Sequence, residues 1–100
     1  QAVQHRMAEC KVLVEGARWL SYEAAALGAP PEQAAVAAAH ALGTAGRVFV
    51  ETHQLSGAIG FTHEHDLHVW TMRLQALRLE MGGSGAQRRA VSRTRWMAQP

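Results

Sequence analysis

The spacing of apolar residues in the first quarter of the chain predicts one long helix, from Gln1 to Leu27. Apolar side chains recur there three or four positions apart, which places them on one helical face. These positions are Val3, Met7, Cys10, Val14 and Ala17. Gly28 can end the helix in a left-handed conformation, and Pro30-Pro31 cannot continue it.

The next segments predict three further helices. Pro31 suits the first position of a second helix, which is mostly alanine from Ala34 to Ala45 and is therefore a strong helix former. Gly43 and Gly46 within it predict close contact with neighbouring helices. A third helix is expected from about Glu64 to Met81, and a weaker fourth from about Ala86 to Ala98. The third helix has a predicted apolar face of Leu67, Trp70, Leu74, Leu77 and Met81.

Gly57 and Gly60 interrupt the helical pattern between the second and third helices. We expect Gly57 to adopt positive φ and end the second helix. Thr62 is a plausible N-cap for the third helix. A glycine turn lets another molecule approach backbone N–H groups closely, so this turn is the first candidate binding site.

The composition indicates one small domain. The chain has 100 residues, of which 48% are hydrophobic and only 6% aromatic. Because alanine buries little area, we expect residues 1–100 to form one domain that is stabilised in part by contacts with partner proteins. The single Cys10 excludes an internal disulfide, and its place in the apolar stripe predicts a core residue.

The net charge of +2 does not favour nucleic acid as a partner. The basic excess lies near the end, in Arg88, Arg89, Arg93 and Arg95, and no nucleic-acid-binding motif accompanies it. We interpret these residues as a solvated helix face. No segment is long and apolar enough to span a bilayer and no signal peptide is visible, so we predict a cytoplasmic protein without a membrane partner.

The histidines near the start of the third helix do not predict a metal site. His63, His65 and His68 alternate with Glu64 and Asp66, but few of them share a helical face. We therefore expect a polar helix start that faces solvent or a partner. Arg73, further along, has two open interpretations: a salt bridge to Glu80 or Glu51, or a ligand or interface contact.

The segment Gln54–Glu64, QLSGAIGFTHE, resembles the acyl-CoA dehydrogenase family, in the C-terminal helical domain. The family pattern is Gln-x-x-Gly-Gly-x-Gly-aromatic, two residues and an acid, with an Arg on the next helix, here Arg73. Ala58 replaces the second glycine. Matches at Arg18 and Tyr22 extend the resemblance over nearly the whole chain.

The resemblance implies an up-and-down helical bundle, FAD as cofactor and an acyl-CoA substrate in the complete enzyme. In the family the glycine segment contacts the adenosine diphosphate part of FAD in a neighbouring subunit. That role would fall on Gln54, Gly57 and Ala58, with Ser84 as a further flavin contact. A turn that merely ends the helix remains the competing interpretation. The family domain has one more helix before Gln1, so we expect this chain to be part of a longer protein.

The family's usual catalytic base is absent from its position. Many members carry Glu nine residues after the matching Arg, in a Tyr-Glu-Gly-Thr-Ser-Gln segment, and here that position is Gly82. Glycine cannot accept an α-proton. Glu80 lies two residues away and faces another side of the helix. Other branches of the family place the base on an earlier helix.

The sequence therefore predicts the C-terminal domain of an FAD-dependent acyl-CoA dehydrogenase in a homo- or hetero-oligomer. Two alternatives stay open. One is a non-catalytic helper subunit that completes the flavin site of an active partner. The other is a helical oligomerisation module without a cofactor.

Overall fold

The computed structural model describes the backbone of residues 1–59 and 64–97 and the side chains of residues 1–55 and 68–96. These residues form four α-helices and no strand, so the all-α prediction is confirmed. The helices are α1 (Ala2–Ala26), α2 (Pro31–Ile59), α3 (Glu64–Glu80) and α4 (Gly83–Ser92), followed by a π-helical turn at Arg93–Met97. None of the described helices combines the length and the hydrophobicity needed to cross a membrane.

The central element is α2, which contacts all three other helices. Its partner α1 runs antiparallel to it, since Arg6 pairs with Glu51 and Glu9 pairs with Arg47. The molecule is elongated, with dimensions of 56 × 26 × 20 Å. Its radius of gyration of 15.8 Å exceeds the roughly 13 Å typical of a compact 100-residue domain.

The turn between α1 and α2 forms as the sequence predicts. Gly28 has φ 81°, and its N–H donates to the Ala25 carbonyl at 3.1 Å. The N–H of Ala29 reaches back to the Ala24 carbonyl at 2.7 Å, which completes a Schellman motif. This arrangement satisfies carbonyl groups that the helix end would otherwise leave without a partner.

The core is built from small side chains. The buried apolar residues in the described part are Cys10, Ala24, Ala35, Ala37, Leu42 and Leu55. The predicted burial of Cys10 is confirmed, but Met7 and Val14 of the same stripe are 51% and 43% exposed. They line an open groove of about 540 Å³ with Val48 of α2. The stripe is therefore only partly buried against α2, and it leaves an apolar groove along α1.

The third helix turns a different face to the bundle from the one its apolar pattern predicts. Thr71 is 4% exposed, and Gln75 and Arg78, at the same helical face, are half-buried. Trp70 is 70% exposed, and Leu77 and Met81 also face outward. Trp70, Leu77 and Met81 are therefore wrong as core residues, because α2 accepts the polar side of α3. Leu74 is half-buried, and Leu67 lies outside the described side chains.

The two glycines of α2 have different surroundings. A Cβ on Gly46 would lie 3.3 Å from Arg78 Nη2, which agrees with the predicted close contact. A Cβ on Gly43 would meet nothing within 4 Å, so the same prediction is wrong for Gly43. Gly43 faces a cleft, and only Gly46 is needed for close approach.

The last helix begins earlier than the sequence predicts. Only Met81 and Gly82 form the turn, and Gly83, Ser84 and Gly85 belong to α4. Positive φ at Gly82 and Gly83 reverses the chain within so short a turn. Near the end of the chain Val91 is half-buried, whereas Trp96 is 76% exposed.

Candidate functional site

A ladder of polar side chains joins α1 to the C-terminal half of α2. Arg47 Nη2 lies 2.6 Å from Glu9 Oε2, and Arg47 Nε lies 3.4 Å from Glu51 Oε1. Glu51 Oε2 lies 3.8 Å from Arg6 Nε, and Arg6 Nη1 donates to Gln54 Oε1 at 3.3 Å. The ladder therefore ends at Gln54, the first of the predicted flavin contacts.

This contact fixes which way the Gln54 amide points. A guanidinium group has only donors, so Arg6 must contact the amide oxygen of Gln54 and not its nitrogen. The NH₂ group of Gln54 makes no hydrogen bond to any described residue, and the side chain is exposed. The two N–H donors of Gln54 therefore have no partner among the described residues, and they lie beside an Arg6 side chain that is itself half exposed.

Gly57 does not end the second helix. The helix continues through Gly57 and Ala58 to Ile59, so the predicted positive φ at Gly57 is wrong. A glycine inside a helix costs only about 0.5–1 kcal/mol relative to alanine, which continued hydrogen bonding along α2 offsets. Gly60 and Thr62, the rest of the predicted turn and cap, lie outside the described residues.

The structure places the matched catalytic position, Gly82, in a tight turn between α3 and α4. Gly82 has φ 79°, and a Cβ built on it would lie 3.2 Å from the Ala86 Cβ. Any L-residue here, glutamate included, would be strained in conformation and crowded. Ser84 lies in the first turn of α4 and is half-buried, while Glu80, the last residue of α3, is exposed.

The two groups of predicted site residues are not close together. Met81, next to Gly82, lines a groove with Ala38 and Ala41 of α2. Gln54 lies 13 residues beyond Ala41 on the same helix, which is about 20 Å at 1.5 Å per residue. Gln54 and Ser84 therefore lie on different parts of the molecule and cannot contact the same phosphate group.

Arg73 is exposed on α3 and does not pair with Glu51. Glu51 is paired with Arg47 and Arg6 instead, and no ion pair among the described side chains includes Arg73. The salt-bridge interpretation is therefore wrong for Glu51, and it finds no support for Glu80.

The histidine cluster falls almost entirely outside the described side chains. Only His68 is described, and it is exposed. Among the side chains that the structure describes, no group of three metal-ligating residues comes together. The four basic residues near the end are exposed: Arg88, Arg89, Arg93 and Arg95. Arg95 nevertheless pairs with Glu32 of α2 at 2.6 Å, so it is not simply solvated as the sequence predicts.

The sequence matches a protein-family model described as "Acyl-CoA dehydrogenase, C-terminal domain" over residues 1–95. The chain belongs to this family. The family assignment made from the glycine segment is confirmed. No curated protein and no solved structure gave a significant match.

Sequence reasoning missed the ladder that holds Gln54. Its signal was nonetheless present, because Arg6 and Glu9 are three apart on α1 and Arg47 and Glu51 are four apart on α2. Residues at these spacings share a helical face. Pairing the two faces required the antiparallel register of α1 and α2, which only the fold supplies.

Proposed function

We propose that the chain is the C-terminal domain of an FAD-dependent acyl-CoA dehydrogenase, and that Gln54 contacts the adenosine diphosphate half of the flavin cofactor. The observation that carries this proposal is the exposed Gln54 amide, whose oxygen accepts from Arg6 and whose NH₂ group has no partner among the described residues. When bound, FAD supplies the hydride acceptor for α,β-dehydrogenation of an acyl-CoA.

The residues at the end of α2 fit an anionic group. The C-terminal end of a helix carries negative partial charge, so an anion there needs donors from side chains. Gln54 supplies N–H donors and Arg6 a positive charge. Glu51, the nearest carboxylate in the ladder, has a 13% exposed side chain and is paired with two arginines. Gly57 and Ala58 add little bulk beyond Gln54.

We also infer that the outer face of α3 packs against another subunit. Its exposed apolar side chains are Val69, Trp70, Met72, Leu77 and Leu79. An apolar surface of this kind usually marks an interaction site. An oligomer would also agree with the separation of Gln54 from Ser84, since Gln54 would serve the flavin of a neighbouring subunit.

A helper subunit is the second candidate function, and Gly82 favours it. The turn at Gly82 provides no carboxylate, and its left-handed backbone does not suit a glutamate. A subunit of this kind would complete the flavin site of a partner without supplying the base from this turn.

Flavin content of the natural full-length assembly tests the cofactor proposal. Wild-type protein is expected to show flavin absorbance, and Gln54→Ala and Arg6→Ala should each weaken FAD binding about tenfold or more, as expected for a lost hydrogen bond to a charged group. Gln33→Ala, on the first turns of the same helix, is the matched control and should bind as wild type does. Wild-type protein without flavin would favour the cofactor-free module.

Activity toward an acyl-CoA with an artificial electron acceptor separates the enzyme from the helper subunit. A homomeric assembly that lacks a base elsewhere should be slower by about two to four orders of magnitude than a competent enzyme. Glu80→Gln should leave its rate unchanged. Full activity that Glu80→Gln abolishes would place the base at Glu80, and full activity that survives it would place the base upstream of Gln1. A cytoplasmic location stays a prediction, which cell fractionation can test.

A further inference from the structure

A cleft of about 370 Å³ lies where α1, α2 and α4 meet. Gln54 does not line it, although Arg47 of its wall also belongs to the ladder that ends at Gln54. Its walls include Leu13 of α1, Arg88 of α4, and four side chains of α2 at successive turns: His40, Gly43, Thr44 and Arg47.

Thr44 is the first indication of a ligand in this cleft. The other threonines whose side chains are described, Thr52, Thr71 and Thr94, each donate to a carbonyl three or four residues back in their own helix. Thr44 is only 7% exposed, yet its hydroxyl makes no hydrogen bond to any described residue. The Thr44 oxygen is not among the enclosed side-chain atoms that lack a partner, so the hydroxyl opens to the cleft that this residue lines, where a ligand can reach it.

The charged groups around the cleft favour an anion. Arg88 makes no ion pair with any described residue, while Arg47 is paired with Glu9 and Glu51. A guanidinium has five N–H donors, so Arg47 keeps donors beyond those two contacts. With Arg88 unpaired, the local balance is positive.

The imidazole of His40 is held rigidly at one wall. Its Nε2 donates to the Leu13 carbonyl at 3.1 Å, and a Cβ on Gly16 would lie only 3.0 Å from the same atom. Because a carbonyl accepts only from an N–H, the proton of the neutral ring is on Nε2. The ring is thereby fixed in orientation beside Thr44.

We propose that this cleft binds a small oxyanion, a carboxylate or a phosphate group. Arg88 and Arg47 supply the positive charge and the Thr44 hydroxyl supplies a hydrogen bond. Leu13 provides an apolar wall for the rest of the ligand. Arg47 also belongs to the ladder that ends at Gln54, so Arg88 and Thr44, which lie outside that ladder, are the residues that distinguish this site from the flavin contact.

Titration of the full chain, followed by backbone amide shifts in NMR spectra, tests the site. Sodium phosphate and sodium butyrate are added separately against sodium chloride at equal ionic strength. Saturable shifts of Thr44, Arg47 and Arg88 with phosphate, with butyrate or with both support the site and identify the preferred group. Shifts that chloride reproduces, or no saturable shift with either probe, would overturn it.

Variants on the two helices locate the binding. Arg88→Gln should weaken binding about tenfold, the loss expected for a charge-assisted hydrogen bond. Arg89→Gln is the matched control, because Arg89 is equally exposed on α4 but does not line the cleft. Equal effects of the two substitutions would mean that general charge attraction, not this cleft, holds the anion.

Two substitutions in α2 separate loss of binding from loss of folding. Gly43→Leu should fill the cleft and abolish binding while the melting temperature stays at or above that of wild type, because Gly43 has open space at its Cβ position. Thr44→Val removes the hydroxyl at constant shape and should weaken binding without lowering the melting temperature. Undiminished binding in a folded Gly43→Leu variant would refute the proposal.

Discussion

Helices α1 and α3 pack against the same central helix, but they present opposite chemistry to it. α1 buries Cys10 and Ala24 against α2 and adds the ion pairs of Arg6 and Glu9. α3 presents Thr71 and the half-buried Gln75 and Arg78 to α2, while Trp70 and Leu79 stay 70% and 81% exposed.

The difference shows which helix surfaces are packed by contacts within this chain and which are not. Cys10, Ala24 and the charged groups Arg6 and Glu9 of α1 find partners on α2, so these contacts are specified within the chain. The large apolar side chains of α1 behave differently, since Met7, Val12 and Trp19 stay 51%, 71% and 64% exposed. The buried residue of α3 is the polar Thr71, and Trp70 and Leu79 are left exposed for another surface, while Leu74 is half-buried. An amphipathic pattern predicts that a face will be buried, but it does not say against what.

The largest expected effect concerns assembly through α3. The double substitution Trp70→Ser, Leu79→Ser should weaken self-association by about 2 kcal/mol or more, because exposed aromatic anchors dominate interface energies. Sedimentation velocity over a concentration series measures it. Val12→Ser, at a residue 71% exposed on α1, is the control and should assemble like wild type.

The fold of the isolated chain should hardly respond to the same double substitution. Exposed positions usually change the free energy of unfolding by no more than about 0.5 kcal/mol. A clear loss of stability at high dilution would show that these side chains pack within the chain, and the contrast between α1 and α3 would then fail.

The second prediction compares a glycine that faces its partner helix with one that does not. Gly16→Ala should lower the free energy of unfolding by about 1–2 kcal/mol, because the new Cβ displaces the His40 ring and its hydrogen bond. Gly43→Ala, in open space, should raise it by about 0.5–1 kcal/mol. Urea denaturation measures both, and a stabilising Gly16→Ala would contradict the tight α1–α2 seam.

The third prediction compares the turns that precede α2 and α4. Gly28→Ala should destabilise the chain by about 1 kcal/mol through its positive φ alone, since a Cβ there meets nothing. Gly82→Ala should destabilise the chain more than Gly28→Ala does, because it adds the 3.2 Å contact with Ala86 to the same conformational strain. The melting temperatures of the two variants measure this difference. A lower melting temperature for Gly28→Ala would mean that Ala86 moves away from the new Cβ at little cost.

The smallest expected effect is that of the exposed ion pairs between α1 and α2. Arg6→Gln should lower the free energy of unfolding by less than about 1 kcal/mol, because the Arg6 side chain is 50% exposed. The difference from wild type should shrink as sodium chloride is raised, since salt screens exposed charges. A loss that salt does not reduce would indicate packing by the Arg6 stem instead of charge.

Local sequence signals, such as helix propensity and the positions of glycine and proline, predicted most of the secondary structure. Gly28 and Pro30 act on their own neighbours, so the end of α1 and the start of α2 followed from the sequence. The same local argument failed at Gly57, where the chain had two acceptable conformations and the helix continued. A glycine permits a turn, but it does not require one.

Some features were determined by the sequence alone: an all-α chain, its family, the absence of glutamate at position 82, and Gln54 as a candidate contact. The tertiary structure decided which face of α3 meets α2, that Arg6 orients Gln54, and that Thr44, Arg47 and Arg88 share a cleft. The physical reason is the sequence distance over which each effect acts. Helix propensity, glycine and proline act over a few residues. The tertiary contacts join residues far apart in the sequence through the register of packed helices, and Glu9 and Arg47, for example, are 38 positions apart.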